Sequence, residues 1–253
     1  MYLTVSALKS AAIEKGATAV ADNLFCYAKN LTKVTMPNTV KKVGSMSFYG
    51  CKSLSSVTLP NTLTEIGYGA FNGTTALTTI TIPKTVTKAG SDVFMDSGLK
   101  TATIENGAAV VADNLFKNAN NLTKVSIPNT VKKIGSMSFY HCEKLSSVTL
   151  PKNLNEIGYK AFDSTKALKS ITIPKTVTEN GNYVFLNSGI ETAIIENGAT
   201  SVPNNLFSKA TNLTQITIPN TVKKIGSNVL LWLYKTFIGN FAEYSYINRN
   251  ICI

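Results

Sequence analysis

The chain has 253 residues, 44% of them hydrophobic, which is enough for one long continuous core or two ordinary domains. Charge is sparse at 15% and lopsided, with 25 Lys+Arg against 14 Asp+Glu, so the net charge of +11 favours acidic partners and says nothing about fold. No run of about 18 apolar residues marks a membrane-spanning helix, and the opening MYLTVSALKSAAIEKG lacks the basic region and apolar run of a secretory leader.

The chain repeats. Units of 22 or 23 residues begin at Leu8, Leu31, Leu54, Leu77, Leu99, Leu122, Leu145, Leu168, Ile190 and Leu213. Apolar residues occupy positions 1, 4, 6, 10 and 13, with Asn180 the exception at position 13 of the eighth unit. Position 18 is aromatic: Phe25, Phe48, Phe71, Phe94, Phe116, Phe139, Phe162, Phe185 and Phe207, with Leu230 in the tenth unit. One unit is too short to bury these side chains, but stacked coils bury them against one another, Phe on Phe.

Within a unit, L-x-x-V-T-M alternates over positions 4 to 6 and predicts a short strand. Pro37, Pro60, Pro83, Pro128, Pro151, Pro174 and Pro219 end that strand at position 7, where no ladder donor is needed. Gly44 and its counterparts at position 14 predict a second bend. No sustained 3.6-residue apolar period exists. Each unit therefore has room for two short extended segments, a helical turn near the Phe, and tight corners.

A longer period lies above the short one. Units one, five and nine replace Pro by Glu (Glu14, Glu105, Glu196), and units four and eight are one residue short. Leu8, Leu99 and Ile190 mark a four-coil cassette of 91 residues. Because the first residues already fall inside a repeat, the sequence is expected to be a piece of a longer protein. Residues 1–227 form the predicted solenoid. Residues 228–253 leave the pattern, contain Trp232, and are expected to be a divergent cap or tail.

The unit LxxIxIPxxVxxIGxxAFxxC resembles the BspA-type leucine-rich repeat, the class that includes the Treponema pallidum repeats. Leu145 to Ala167, LSSVTLPKNLNEIGYKAFDSTKA, fits nearly every position, and the likeness covers roughly residues 8 to 227. It implies a β-rich solenoid: a curved, right-handed stack of about ten coils with a parallel sheet on one face and few or no long helices. It also implies secreted or cell-surface proteins of bacteria and some protozoa, used in adhesion. It supplies no catalytic residues.

The chemistry-bearing residues argue against an enzyme. Cys51 and Cys142 share position 21, four coils apart, at about 19 Å for a ~4.8 Å rise per coil, which is too far for a disulfide. Cys26 is offset from Cys51 by two positions, and Cys252 belongs to the tail. The single histidine, His141, stands where unit two has Gly50. Glu65 and Glu156 are repeat copies rather than an acid pair. No metal-ligand spacing and no phosphate-binding loop is present, so no cofactor is expected.

With positions 4 and 6 inward, positions 3 and 5 face solvent. They read Lys33 and Thr35, Ser56 and Thr58, Thr79 and Thr81, Thr101 and Thr103, Lys124 and Ser126, Ser147 and Thr149, Ser170 and Thr172, then Thr192, Ile194, Gln215 and Thr217. This two-wide hydroxyl ladder is the candidate binding surface for a host or cell-surface protein, or for an anionic glycan. Threonine also simply suits an exposed strand. Lys41/Lys42, Lys132/Lys133 and Lys223/Lys224 make every fourth coil basic. Nucleic acid would want clustered Arg among stacking aromatics, and Arg249 is the single arginine. The alternative function is an architectural spacer, with recognition done elsewhere in a longer protein.

Overall fold

The structure, a computed structural model, describes residues 7–230; the tail containing Trp232 and Cys252 lies outside the described residues. Each coil contributes one strand to each of two walls. The first wall holds β1 (Ser10–Ala12), β3 (Lys33–Thr35), β5 (Ser56–Val57), β7 (Thr79–Ile82), β9 (Thr101–Ile104), β11 (Lys124–Ser126), β13 (Ser147–Val148), β15 (Ser170–Ile173), β17 (Thr192–Ile195) and β19 (Gln215–Thr217). The second holds β2 (Ala19–Val20), β4 (Lys42–Val43), β6 (Glu65–Ile66), β8 (Lys88–Ala89), β10 (Val110–Val111), β12 (Lys133–Ile134), β14 (Glu156–Ile157), β16 (Glu179–Asn180), β18 (Ser201–Val202) and β20 (Lys224–Ile225). Every pairing is parallel and joins one coil to the next. The chain is a β-solenoid with no helix among the described residues.

The third wall is not the expected helical turn. Positions 16 and 20 sit in the left-handed region in coil after coil, as at Asn23 and Tyr27, Asp92 and Asp96, Asn114 and Asn118. A residue with positive φ on each side of the Phe prevents an α-helical turn. Hydrogen bonds alternate instead. Tyr49 and Cys51 donate back to Met46 and Phe48, while Met46, Phe48 and Gly50 donate forward to Tyr68, Ala70 and Asn72 of the next coil. The enrichment of Asn, Asp and Gly at positions 16 and 20 is the sequence signal for this wall.

The glycines at position 14 have a different cause from the predicted bend. None of them has a positive φ. A Cβ on Gly44 would lie 2.6 Å from the Asp22 amide nitrogen, and one on Gly158 would lie 2.6 Å from the Gly135 carbonyl carbon. The preceding coil passes too close for any side chain. Gly98 and Gly189 close the two short coils for the same reason, against the Thr75 and Lys166 carbonyls.

The core is one column per position, and the Phe column is its axis. Neighbouring rings stack with centroids 5.1 Å apart at Phe48 and Phe71, and 5.5 Å apart at Phe116 and Phe139. The loosest step, 5.8 Å with a 23° tilt, joins Phe94 to Phe116, where a 22-residue coil meets a 23-residue one. Fully burying one such ring stabilises by roughly 1.5–3 kcal/mol, with about 0.5–1.5 kcal/mol more for each stacked pair. Polar side chains tie the coils at the corners. Thr39, Thr62, Thr85, Thr130, Thr176 and Thr221 each donate a hydroxyl to the position-10 carbonyl of the preceding coil, at 2.6–2.9 Å.

We expect Phe116→Ala to cost about 3–5 kcal/mol in urea unfolding, because the cavity opens between Phe94 and Phe139, which Phe71 and Phe162 hold in place from their far sides. Gly158→Ala should also destabilise, against the usual small gain from removing a glycine. Equal or higher midpoints for either variant would contradict this packing.

Candidate functional site

The hydroxyl-bearing face is the outer surface of the first wall. Thr79, Thr81, Thr101 and Thr103 are exposed, while Ile80, Ile82, Ala102 and Ile104 between them are buried. Register sets Thr79 beside Thr101 and Thr81 beside Thr103, then Lys124 and Ser126 beside these, and Ser147 beside Lys124. Lys33 pairs with Ser56, and Ser170 with Thr192. Thr35 closes its strand exposed, and Thr58 and Thr149 fall just past the ends of β5 and β13. Ile194 breaks the polar pattern with an exposed apolar side chain.

The ladder is not continuous. The first wall divides into β1-β3-β5, β7-β9-β11-β13 and β15-β17-β19, while β2-β4-β6-β8 and β10-β12-β14-β16 bridge both gaps on the second wall. The first wall thus loses its pairing between β5 and β7 and between β13 and β15, at the same point of each 91-residue cassette, and the second wall loses its own one junction later, between β8 and β10 and between β16 and β18. A cleft of about 500 Å³ fills the first gap, between Ser55–Leu59 and Thr79–Thr81, with Asn61, Thr101, Thr103 and Glu105 at its rim. Its copy, about 270 Å³, lies among Val148, Thr149, Leu150, Ser170, Ile171 and Thr172, with Lys152 and Glu196.

Sequence features mark these coils in hindsight. Position 6 is Ile or Met in eight units but Leu59 and Leu150 in the two that break the ladder. Position 10 is Val or Ala elsewhere but Leu63 and Leu154 there. Leucine fits an extended strand less well than β-branched isoleucine, and the larger residue at position 10 adds volume at the corner beside the gap. Val57 and Val148 are half-exposed at position 4, as are Ala11 and Ile216 in the terminal coils, while the remaining counterparts are buried.

The glutamates that replace proline gain a role from the structure. Glu105 Oε2 accepts the Lys84 amide, and Glu196 Oε2 accepts the Lys175 amide, both at 2.9 Å. Glu65 and Glu156 pair with Lys42 and Lys133 of the preceding coil at 2.9 Å, and these hydrogen bonds hold both ammonium groups above their ordinary pKa. Half of the first two lysine pairs is thus already matched by a carboxylate, so every fourth coil is less basic than its sequence implies. His141 is one of the positive-φ residues at position 20, the place that Gly50 holds in unit two.

A second surface escaped the sequence reading. On the third wall Lys160 lies 5.7 Å from the Tyr140 ring and 5.6 Å from the Tyr159 ring, Lys117 also approaches Tyr140, and Lys209 sits over Tyr183. Apart from the adjacent Tyr159 and Lys160, these residues are dispersed in sequence and meet through the stacking of coils.

Cys51 and Cys142 are buried free thiols, each donating to the Phe carbonyl of the preceding coil (Phe25 and Phe116) at 3.0 Å. Burial pushes the Cys51 thiol up to about 12 and raises Cys142 in the same direction. We therefore expect iodoacetamide at pH 8 to label half-exposed Cys26 in the native protein and to spare both buried cysteines until denaturant is added, with peptide mass spectrometry as the readout. Native labelling of Cys142 would contradict the packing at position 21.

A family model described as the BspA type leucine-rich repeat region matches in six copies over residues 4–121 and 109–232. Among solved structures, a leucine-rich repeat protein from Bacteroides ovatus superposes with a TM-score of 0.67 and 26% identity, covering 88% of this chain and 61% of that one. The chain thus spans about three-fifths of the length of that relative. A leucine-rich cell surface protein from Faecalibacterium prausnitzii is 24% identical over 89% of this chain and 79% of its own, with a TM-score of 0.43. A leucine-rich repeat protein from T. pallidum is 19% identical over 78% and 74%, with a TM-score of 0.40. No curated protein matches the chain at a significant level.

Proposed function

The chain belongs to the BspA-type leucine-rich repeat family, and we propose that it is a non-enzymatic binding or adhesion module of a surface-associated or secreted protein, engaging a protein partner through the hydroxyl-bearing first wall. The observation that carries this is the repeated opening of that wall. The second wall keeps its pairing across both gaps and is itself interrupted one junction later, where no cleft of this kind is lined by hydroxyls among the described residues. The first wall interrupts its ladder at the same coil of each cassette, leaving a polar cleft rimmed by Thr79, Thr81, Thr101 and Thr103. Concave, hydroxyl-lined openings with a partly apolar floor suit recognition.

The rest of the ladder, from Lys33, Thr35, Ser56 and Thr58 through Lys124, Ser126, Ser147 and Thr149 to Ser170 and Thr172, extends the surface on either side. An anionic glycan is the other partner class, and the Lys–Tyr contacts of the third wall favour it there, since a cation beside an aromatic face suits sugar and acid together. The alternative to binding is an architectural spacer, supported by the chain's spanning only 61% of its B. ovatus relative.

The test is a panel of matrix proteins and sulfated glycans. Changing Thr79, Thr81, Thr101 and Thr103 together to Glu is expected to abolish binding of the captured protein while the far-ultraviolet dichroism and unfolding midpoint hold. Changing Lys117 and Lys160 to Ala should spare it. Binding that survives the first set and fails with the second would move recognition to the third wall. No capture by either surface would favour the spacer.

A further inference from the structure

The third wall of the second cassette carries a continuous row of cations and rings. Lys117 lies 5.9 Å from the Tyr140 ring, and Lys160 lies 5.7 Å from the same ring and 5.6 Å from Tyr159. Tyr159 meets Tyr183 edge-on at 6.3 Å, and Lys209 lies 5.3 Å from Tyr183. The row runs without a missing step from coil five to coil nine, a length of about 19 Å at the ~4.8 Å rise of a parallel ladder.

Two observations separate this row from simple repeat copying. The first cassette has Cys26, Gly69 and Asp92 where the second has Lys117, Lys160 and Tyr183, and each exchange makes the wall more positive. The hydroxyl ladder of coils two to four, by contrast, differs from its copy only by Ser for Thr, at Ser126 and Ser170. Lys160, Tyr183 and Lys209 also stand at φ values of 51°, 60° and 61°. Large side chains are strained in that left-handed region, and strain of this kind gathers at ligand-binding sites.

The chemistry of the row selects its partner. Tyr140 has Lys117 and Lys160 over its ring from the coils on either side, and the His141 ring stacks on it at 4.3 Å, so no face is left for a nucleic-acid base. Charge is sparse. Lys160 Nζ lies 3.5 Å from the buried Asp163 carboxylate, whereas Lys117 and Lys209 have no carboxylate partner among the described residues. Two unmatched ammonium groups over about 19 Å fall far short of a nucleic-acid strand, which carries a phosphate about every 3.4 Å. Between them lie ring edges, tyrosine hydroxyls and the amides of Asn118 and Asn182, which suit sugar hydroxyls.

We infer that this row binds a linear polysaccharide bearing carboxylate or sulfate on some of its sugars, laid along the solenoid axis from Lys117 to Lys209. The site is separate from the hydroxyl-bearing first wall and goes beyond the protein recognition proposed there. An extended sugar chain advances by about one coil rise per sugar, so about five sugars span the row. The end lysines take the acidic groups. The rings and Asp163 hold Lys160 in place, so little side-chain freedom is lost on binding.

The experiment measures affinity of the full chain for hyaluronan oligosaccharides of increasing length, with chondroitin sulfate to compare sulfate with carboxylate. Dextran, oligothymidylate and polyglutamate are separate probes. Affinity is expected to rise steeply between the disaccharide and the hexasaccharide, when one chain first reaches both end lysines, and to fall with added salt. Lys117→Ala and Lys209→Asn should each weaken the hexasaccharide about tenfold and leave the disaccharide within about twofold. Lys160→Gly combined with Asp163→Asn installs the residue types of Gly69 and Asn72 at unchanged net charge, and should also weaken the hexasaccharide, with an unchanged unfolding midpoint. Full binding by that variant overturns the site, because net charge alone would then be acting. Equal affinity for dextran, oligothymidylate or polyglutamate overturns it, and so does failure to bind either anionic glycan. Changing Thr79, Thr81, Thr101 and Thr103 to Val should leave glycan binding intact. Glycan binding lost there but kept in the lysine variants overturns the third-wall site and moves the glycan to the first wall. Protein capture by the first wall is read on its own panel, so the two readings fail separately.

Discussion

Every feature of this molecule depends on one constraint: each coil must lie in register on the one before it, at the spacing of a parallel ladder. At that spacing a residue's nearest neighbour is its counterpart 22 or 23 positions away, so each position becomes a column, and each column holds a narrow range of sizes. The Phe column shows this most directly, with rings 5.1–5.8 Å apart through the length of the stack. The position-14 glycines show it from the other side, since a single methyl group there would collide with the backbone of the preceding coil.

The same constraint explains how a deletion is absorbed. The 22-residue coils pull the chain in by one residue, and three devices appear at that junction. Gly98 and Gly189 allow the close approach to a carbonyl, the Phe94–Phe116 step opens and tilts, and Glu105 and Glu196 take up the amides of Lys84 and Lys175 in the shortened coils. The ladder opens one coil earlier in each cassette, between the third and fourth. The clefts are therefore a property of the four-coil cassette, and no single coil contains one.

Most of the fold was legible in the residues, because periodic burial is a sequence property. Leu at position 1, apolar residues at 4, 6, 10 and 13, and Phe at 18 predicted a stacked core. The rule that positions 3 and 5 face outward held through β7 and β9. The third wall was misjudged as a helical turn because its backbone alternates between local turns and bonds to the next coil, a pattern with no apolar period of its own. Its trace was the recurrence of Asn, Asp and Gly at positions 16 and 20, among them Asn114 and Asn118.

The sequence by itself determined the solenoid, the 91-residue cassette, the buried cysteines and the outward hydroxyls, since each follows from comparing a residue with its counterpart one coil away. Only the tertiary structure decided that the hydroxyl ladder is broken, that Lys42 and Lys133 are matched by Glu65 and Glu156, and that lysines and tyrosines meet on the third wall. Those outcomes depend on how small differences in side-chain shape, Leu59 for Ile or Leu63 for Val, add up across stacked coils. A gap between two strands is a relation between coils, and no residue of either strand records it alone.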